Sequence, residues 1–196
     1  MKKEIICLDK YIIYQIDENE ISKAVEFVVK TNYIKHHFAI DNKQLEIEIA
    51  EIIQTEKNIF ERSFFYMATT IEGQIIGTLR VFDVDDFDIY IPDSIDRCSI
   101  NKIYHIGRFA INQNGGEKLG SKLFKQMILL AFSHVCQNEN NILIAECDIR
   151  LHRVLARMKI DTIKIGNPFF CLGSETISVY ATYSSINKYY SKYNLL

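Results

Sequence analysis

The sequence predicts a mixed α/β protein built on one central twisted sheet with helices on both faces. Three observations carry that prediction. Apolar runs of strand length alternate with segments of helical spacing from Tyr11 to Tyr193. Only two prolines, Pro92 and Pro168, fall in 196 residues, with no low-complexity linker and no internal repeat. Hydrophobic residues make up 48% and charged residues 24%, so one continuous domain over residues 1–196 has enough apolar surface for a sizeable core.

Tyr11-Ile-Ile-Tyr-Gln-Ile16 reads as the first strand. Asp17 then caps a helix whose Ile21, Val25, Phe27, Val28 and Tyr33 recur at helical spacing. A second helix starts near Asp41 and runs through Leu45, Ile47, Ile49, Ile52 and Ile53. Residues Ser63 to Thr70 and Ile75 to Val84 form a hairpin, with the glycine of Ile71-Glu-Gly-Gln74 in the turn. The segment from Asp83 to Arg97 is acidic and irregular. It is open to a cation or to electrostatic contact as a solvated loop, but it lacks the glycine and the spacing of an EF-hand. A strand from Lys102 to Asn112 follows. It runs through an Asn/Gly-rich turn into an amphipathic helix, Glu117 to Val135. Asn141 to Cys147 is a strand, and Asp148 caps a basic helix, Ile149 to Met158. Strands at Ile163 to Ile165 and Thr176 to Thr182, then a helix over Ile186 to Tyr193, complete the chain.

Composition excludes several function classes. The formal net charge of −2 lacks the basic footprint of a nucleic-acid binder. The longest apolar stretches, such as Met127 to Phe132, are far too short to cross a membrane as a helix. The N-terminal residues have no apolar signal-peptide core, so a cytoplasmic protein is expected. Cys7, Cys98, Cys136, Cys147 and Cys171 are odd in number and contain no CxxC pair. They signal neither a metal site nor a disulfide framework, and reduced thiols are expected.

The most informative stretch is Tyr104-His-Ile-Gly-Arg-Phe-Ala-Ile-Asn-Gln-Asn-Gly-Gly116 with the helix that follows. A strand, a glycine turn and a helix start together present free N–H groups and the positive end of a helix dipole. That is a place for a phosphate, with Asn114, Gly115 and Gly116 in the turn. The same strand carries His105 and Arg108.

This element order resembles the GNAT acyltransferase superfamily over about Tyr11 to Thr182. Within it, the chain looks most like the branch of acyl-homoserine-lactone (autoinducer) synthases and long-chain N-acyl amino acid synthases. Ile76-Gly-Thr-Leu-Arg-Val81 resembles the branch's third strand, with its Arg at Arg80. Ile106-Gly-Arg-Phe-Ala-Ile111 resembles its fourth strand, with the Arg-Phe pair. Leu151 to Arg157 resembles the helix after its fifth strand, and Ile165-Gly-Asn-Pro-Phe169 its late Leu-Gly-x-Pro turn.

The resemblance implies a central mixed, splayed β-sheet flanked by helices. It also implies N-acyl transfer from a thioester to a small amine acceptor, with no tightly bound cofactor and no metal. Splayed strands leave N–H groups near Phe109, Ala110 and Ile111 for the donor's pantetheine amides and thioester oxygen. The pyrophosphate motif of ordinary acetyl-CoA-dependent members is broken. If Gly120 takes its last position, Gly115 and Lys118 stand at its Gln/Arg and first-Gly positions. A degenerate turn fits acyl carrier protein, whose phosphopantetheine has a single phosphodiester, and it leaves CoA open as donor.

Autoinducer synthases have Glu three residues before the fourth-strand Arg, where this chain has His105. The substitution keeps a base, with an unperturbed pKa near 6.5, and changes its charge. The phenol with which many GNAT proteins protonate the departing thiolate is replaced by Ala156.

Each candidate has a structural reading beside its functional one. His105 is a general base or a strand histidine satisfied by a neighbour. Arg108 binds a substrate carboxylate or anchors the strand through a protein carboxylate, and anchoring is favoured. Arg80 clamps an amino-acid carboxylate or is an outward edge charge. Arg150, Arg153 and Arg157, with His152, form a basic face for an acidic carrier or a merely solvated one. His36 and His37 are surface histidines at a helix end. The 12 Phe and 11 Tyr fill the core, or in part line an acyl tunnel.

Overall fold

A computed structural model gives the arrangement of residues 3–8, 10–84, 96–112 and 117–194, the side chains of 117 and 118 excepted. In chain order the strands are β1 (Lys3–Leu8), β2 (Tyr11–Gln15), β3 (Ser63–Thr70), β4 (Ile75–Val84), β5 (Ile103–Ile111), β6 (Ile142–Asp148), β7 (Ile163–Cys171) and β8 (Ser174–Thr182). The helices are α1 (Ile21–His36), α2 (Asn42–Asn58), α3 (Glu117–Val135), α4 (Ile149–Arg157) and α5 (Tyr183–Tyr193). Among the described residues the strands form one sheet in the order β1-β2-β3-β4-β5-β6-β8-β7. The β1/β2, β2/β3, β6/β8 and β7/β8 pairs are antiparallel and β5/β6 is parallel. The sheet is therefore mixed, and helices flank it. No helix among the described residues is long and apolar enough to cross a membrane.

The chain divides into two compact units. The first takes Met1–Arg80 and Arg108–Met127. Its core gathers Tyr14, Ile16, Ala24, Phe65 and Met67, with Ile12 and Ile75 against them. Helix α1 buries Ile21, Val25, Val28 and Tyr33 of the predicted stripe, together with Ala24 and Val29, while Phe27 is only half-buried. Asp41 caps α2 by accepting from Lys43 N and Gln44 N, and Asp17 caps a short 3-10 turn ahead of α1. The β3–β4 turn closes through Gly73, whose φ of +85° only glycine adopts cheaply. A Cβ on Gly77 of β4 would lie 3.1 Å from Leu123 Cδ2, so α3 packs hard against the strand there.

The second unit takes Val81–Gly107 and Ile128–Leu196. Ile103, Ile142, Ile144, Ile165 and Tyr180 form a core across β5, β6, β7 and β8. Asp148 caps α4, its carboxylate accepting from Leu151 N at 2.6 Å. His134 on α3 is buried with its ring 5.7 Å from that of Tyr104. Burial lowers its pKa to about 4, against a smaller opposing pull from Asp83.

Two local features differ from the sequence reading. The segment Lys3–Leu8 is a strand, added antiparallel to β2. It is short and begins with two exposed charged residues, the composition of a protected edge, and so gives little alternation to read. The Gly-Asn-Pro segment expected as a late turn lies inside β7. The register passes from Ile165↔Ser178 to Phe169↔Thr176, leaving 166–168 opposite Ile177 alone. Gly166 takes φ +70° at this irregularity, and Pro168, with no N–H to donate, sits on the outer strand of the sheet.

Candidate active site

Strand β5 forms because Ile103, Tyr104, Ile106, Phe109 and Ile111 are β-branched or aromatic. It pairs in parallel with β6 from Ile103↔Ile142 to Ile106↔Ala145. Arg108 then takes φ +50°, a left-handed conformation that costs a non-glycine residue about 1–2 kcal/mol. Such strain persists only where surrounding contacts fix it. Here Thr78 Oγ1 donates to the Arg108 carbonyl at 3.0 Å, and Arg108 Nε donates to Glu56 Oε1 at 2.6 Å. Beyond it, Phe109 meets Phe124 edge-on at 5.4 Å, Ala110 is buried, and Asn112 N donates to Ile76 O.

Glu56 is the centre of a charge cluster in the first unit. Only 1% of its side chain is exposed. Its Oε2 accepts no hydrogen bond and lies 3.5 Å from Arg80 Nη1, whose side chain is also buried. This corrects the edge-charge alternative for Arg80: β4 is an inner strand, and a guanidinium buried there needs a carboxylate beside it. Arg108 has the anchoring contact that was favoured for it. The sequence reading missed Glu56. Its signal was present, since position 56 continues the 45, 49, 52, 53 stripe of α2 and so puts a carboxylate where apolar residues face inward.

His105, in the second unit, is half-buried, and its Nε2 lies 3.9 Å from Glu146 Oε1. Glu146 is the one acidic residue inside the apolar run of β6, and its role was not foreseen either. Residues Asn114, Gly115 and Gly116, the expected phosphate turn, lie outside the described residues, as does most of the acidic 83–97 segment. Gly120 is buried in the first turns of α3. Arg150, Arg153 and Arg157 are exposed on α4, while His152 meets Thr162 at 3.2 Å. Among the described residues no group of three His, Cys, Asp or Glu is placed to hold a metal ion. Burial pushes the Cys136 thiol up to about 11. It pushes Cys147 to about 12 with help from Asp148 and Glu146, so neither offers a thiolate near neutrality.

No protein-family model matches the chain, and no curated protein sequence matches it. Its likeness is to solved structures. Apo FdhC, a nucleotide-linked sugar GNAT, matches 98% of this chain and 95% of its own at 16% identity, with a TM-score of 0.59. FeeM, an N-acyl amino acid synthase from uncultured soil microbes, matches 100% of this chain and 98% of its own at 13% identity and a TM-score of 0.55. RimL, a ribosomal L7/L12 alpha-N-protein acetyltransferase in complex with coenzyme A, matches 93% and 99% at 13% identity and 0.54. At these identities the likeness establishes the architecture: the chain has the GNAT fold, as the sequence resemblance implied.

Proposed function

We propose that this chain, folded as a GNAT protein, is a single-domain cytoplasmic N-acyltransferase. It moves a fatty acyl group from an acyl thioester to the amine of an amino acid or a similar small acceptor. The observation that supports this most is strand β5, which carries an imidazole with a carboxylate beside it and, three residues on, an arginine held in a strained conformation by a buried glutamate. The likeness to FeeM over 100% of this chain and 98% of that one supports the same reading.

The chemistry needs little machinery, because a thioester is already activated. The amine lone pair attacks the thioester carbonyl carbon and the C–S bond breaks. His105 takes the proton from the attacking nitrogen and returns it to the thiolate, giving the amide and the free thiol. In this reading the N–H groups of Phe109, Ala110 and Ile111 hold the thioester oxygen and the pantetheine amides. The turn Asn114, Gly115 and Gly116, with the start of α3 as far as Gly120, holds the donor phosphate. Arg80 and Arg108 shape the acceptor side. Arg150, Arg153 and Arg157 meet the acidic surface of acyl carrier protein, or the donor is acyl-CoA.

The test incubates the purified chain with long-chain acyl carrier protein, long-chain acyl-CoA or acetyl-CoA against a panel of amino acids. Thiol release and N-acyl products are followed by mass spectrometry. A long-chain N-acyl amino acid is the expected product. Preference for acetyl-CoA would replace this reading with a short-chain N-acetyltransferase, which the likeness to RimL favours. Tight binding of acyl carrier protein without turnover would make the chain a carrier-binding module.

A further inference from the structure

We infer that Glu146 is a positioning residue for His105, so that the base is a carboxylate–imidazole pair rather than a lone histidine. The inference rests on the reading of His105 as the base of an N-acyl transfer. His105 pairs in register with Ile144, so Glu146, two residues on, shares its face of the sheet. The Glu146 carboxylate lies 3.9 Å from Nε2, a charge contact longer than a hydrogen bond. Catalytic contacts that are long in a ligand-free structure often shorten once substrate is bound.

Among the described residues, other ionisable groups near β5 have contacts of their own. Lys102 is ion-paired to Asp83. Tyr104 turns to the opposite face, against His134. Asp148, next on Glu146's face of β6, is occupied in capping α4. Opposite Ile144 and Glu146, β8 presents Tyr180 and Ser178. Among the described residues, Glu146 is a carboxylate placed 3.9 Å from His105 Nε2.

The pair has a chemical consequence. When His105 takes the amine proton, the imidazolium forms beside a negative charge and its formation is easier. With 41% of the Glu146 side chain exposed, water weakens this coupling without abolishing it.

The test uses the full chain with histidines isotopically labelled, and His105→Gln assigns the His105 imidazole resonance. In Glu146→Gln the His105 titration midpoint falls by roughly half a pH unit to one unit, the size of two charges about 4 Å apart near a wet surface. The acid limb of the kcat/KM profile moves by the same amount and kcat falls about 10-fold, with the donor KM unchanged. Glu146→Asp restores part of each effect. An unmoved midpoint and unmoved pH profile in Glu146→Gln, with His105→Gln crippled, overturns this inference and leaves the base assignment standing. Normal turnover by His105→Gln overturns both.

Discussion

Glu56 and Glu146 each meet a cationic or titratable side chain of β5, one with 1% of its side chain exposed and the other with 41%. Glu56 touches two guanidiniums, both largely buried, one of them in hydrogen-bonded contact at 2.6 Å. Glu146 faces a single imidazole across 3.9 Å. Burial makes the first arrangement structural. Charges taken out of water must be matched, and removing one leaves the rest uncompensated. Exposure leaves the second worth little to stability, because water and salt compete with it. One strand therefore carries two carboxylate contacts that differ in solvent access.

The largest expected effect lies at the buried cluster. Glu56→Gln removes the charge that faces Arg80 and Arg108, and should cost about 3–5 kcal/mol in urea unfolding at neutral pH. A loss below about 1 kcal/mol would show that water reaches the cluster and that the contrast with Glu146 is false.

His134 gives the comparison a case in which burial acts on a base. Its pKa is about 4 in the fold and near 6.5 when the chain is unfolded. The unfolded state therefore binds the proton first as pH falls. Stability should be complete above about pH 6.5 and decline as pH falls towards 4, by on the order of 3 kcal/mol. His134→Gln should lack this part of the decline. Parallel wild-type and variant curves over that window would count against a neutral buried imidazole.

Next in size is His105→Gln. Turnover should fall by roughly 100-fold, with unfolding free energy changed by less than about 1 kcal/mol. A variant that loses stability rather than turnover would turn His105 into another Glu56, a packed group with no part in chemistry. The smallest effect belongs to Glu146→Gln, which should change unfolding free energy by about 0–1 kcal/mol in low salt. A larger loss would show a structural role that its exposure does not suggest.

Much of the architecture was legible because its signals are local. The hairpin strands Ser63–Thr70 and Ile75–Val84 and the helix Glu117–Val135 have the bounds that periodicity and turn residues give them. Asp148 caps the helix it was expected to cap, since a cap involves only the next three residues, whereas Asp17 caps the 3-10 turn Glu18–Glu20 ahead of α1 and not α1 itself. The edge strand β1 and the irregularity in β7 were not legible. An edge strand is deliberately poor in pattern, and a Gly-x-Pro segment reads as a turn unless a partner strand holds its two ends in line.

The sequence by itself determined the order of strands and helices from Tyr11 onward and the likeness to the GNAT fold, and it placed His105 and Arg108 on one strand. Only the tertiary structure decided what those side chains face. Arg108 meets Glu56 across 52 positions of sequence, and His105 meets Glu146 only because β5 and β6 pair in one particular register. The α2 stripe marks Glu56 as inward-facing, but neither pairing can be read from periodicity or spacing. Chain packing sets both the partner and its access to water, and so how strongly a charge is held in the fold.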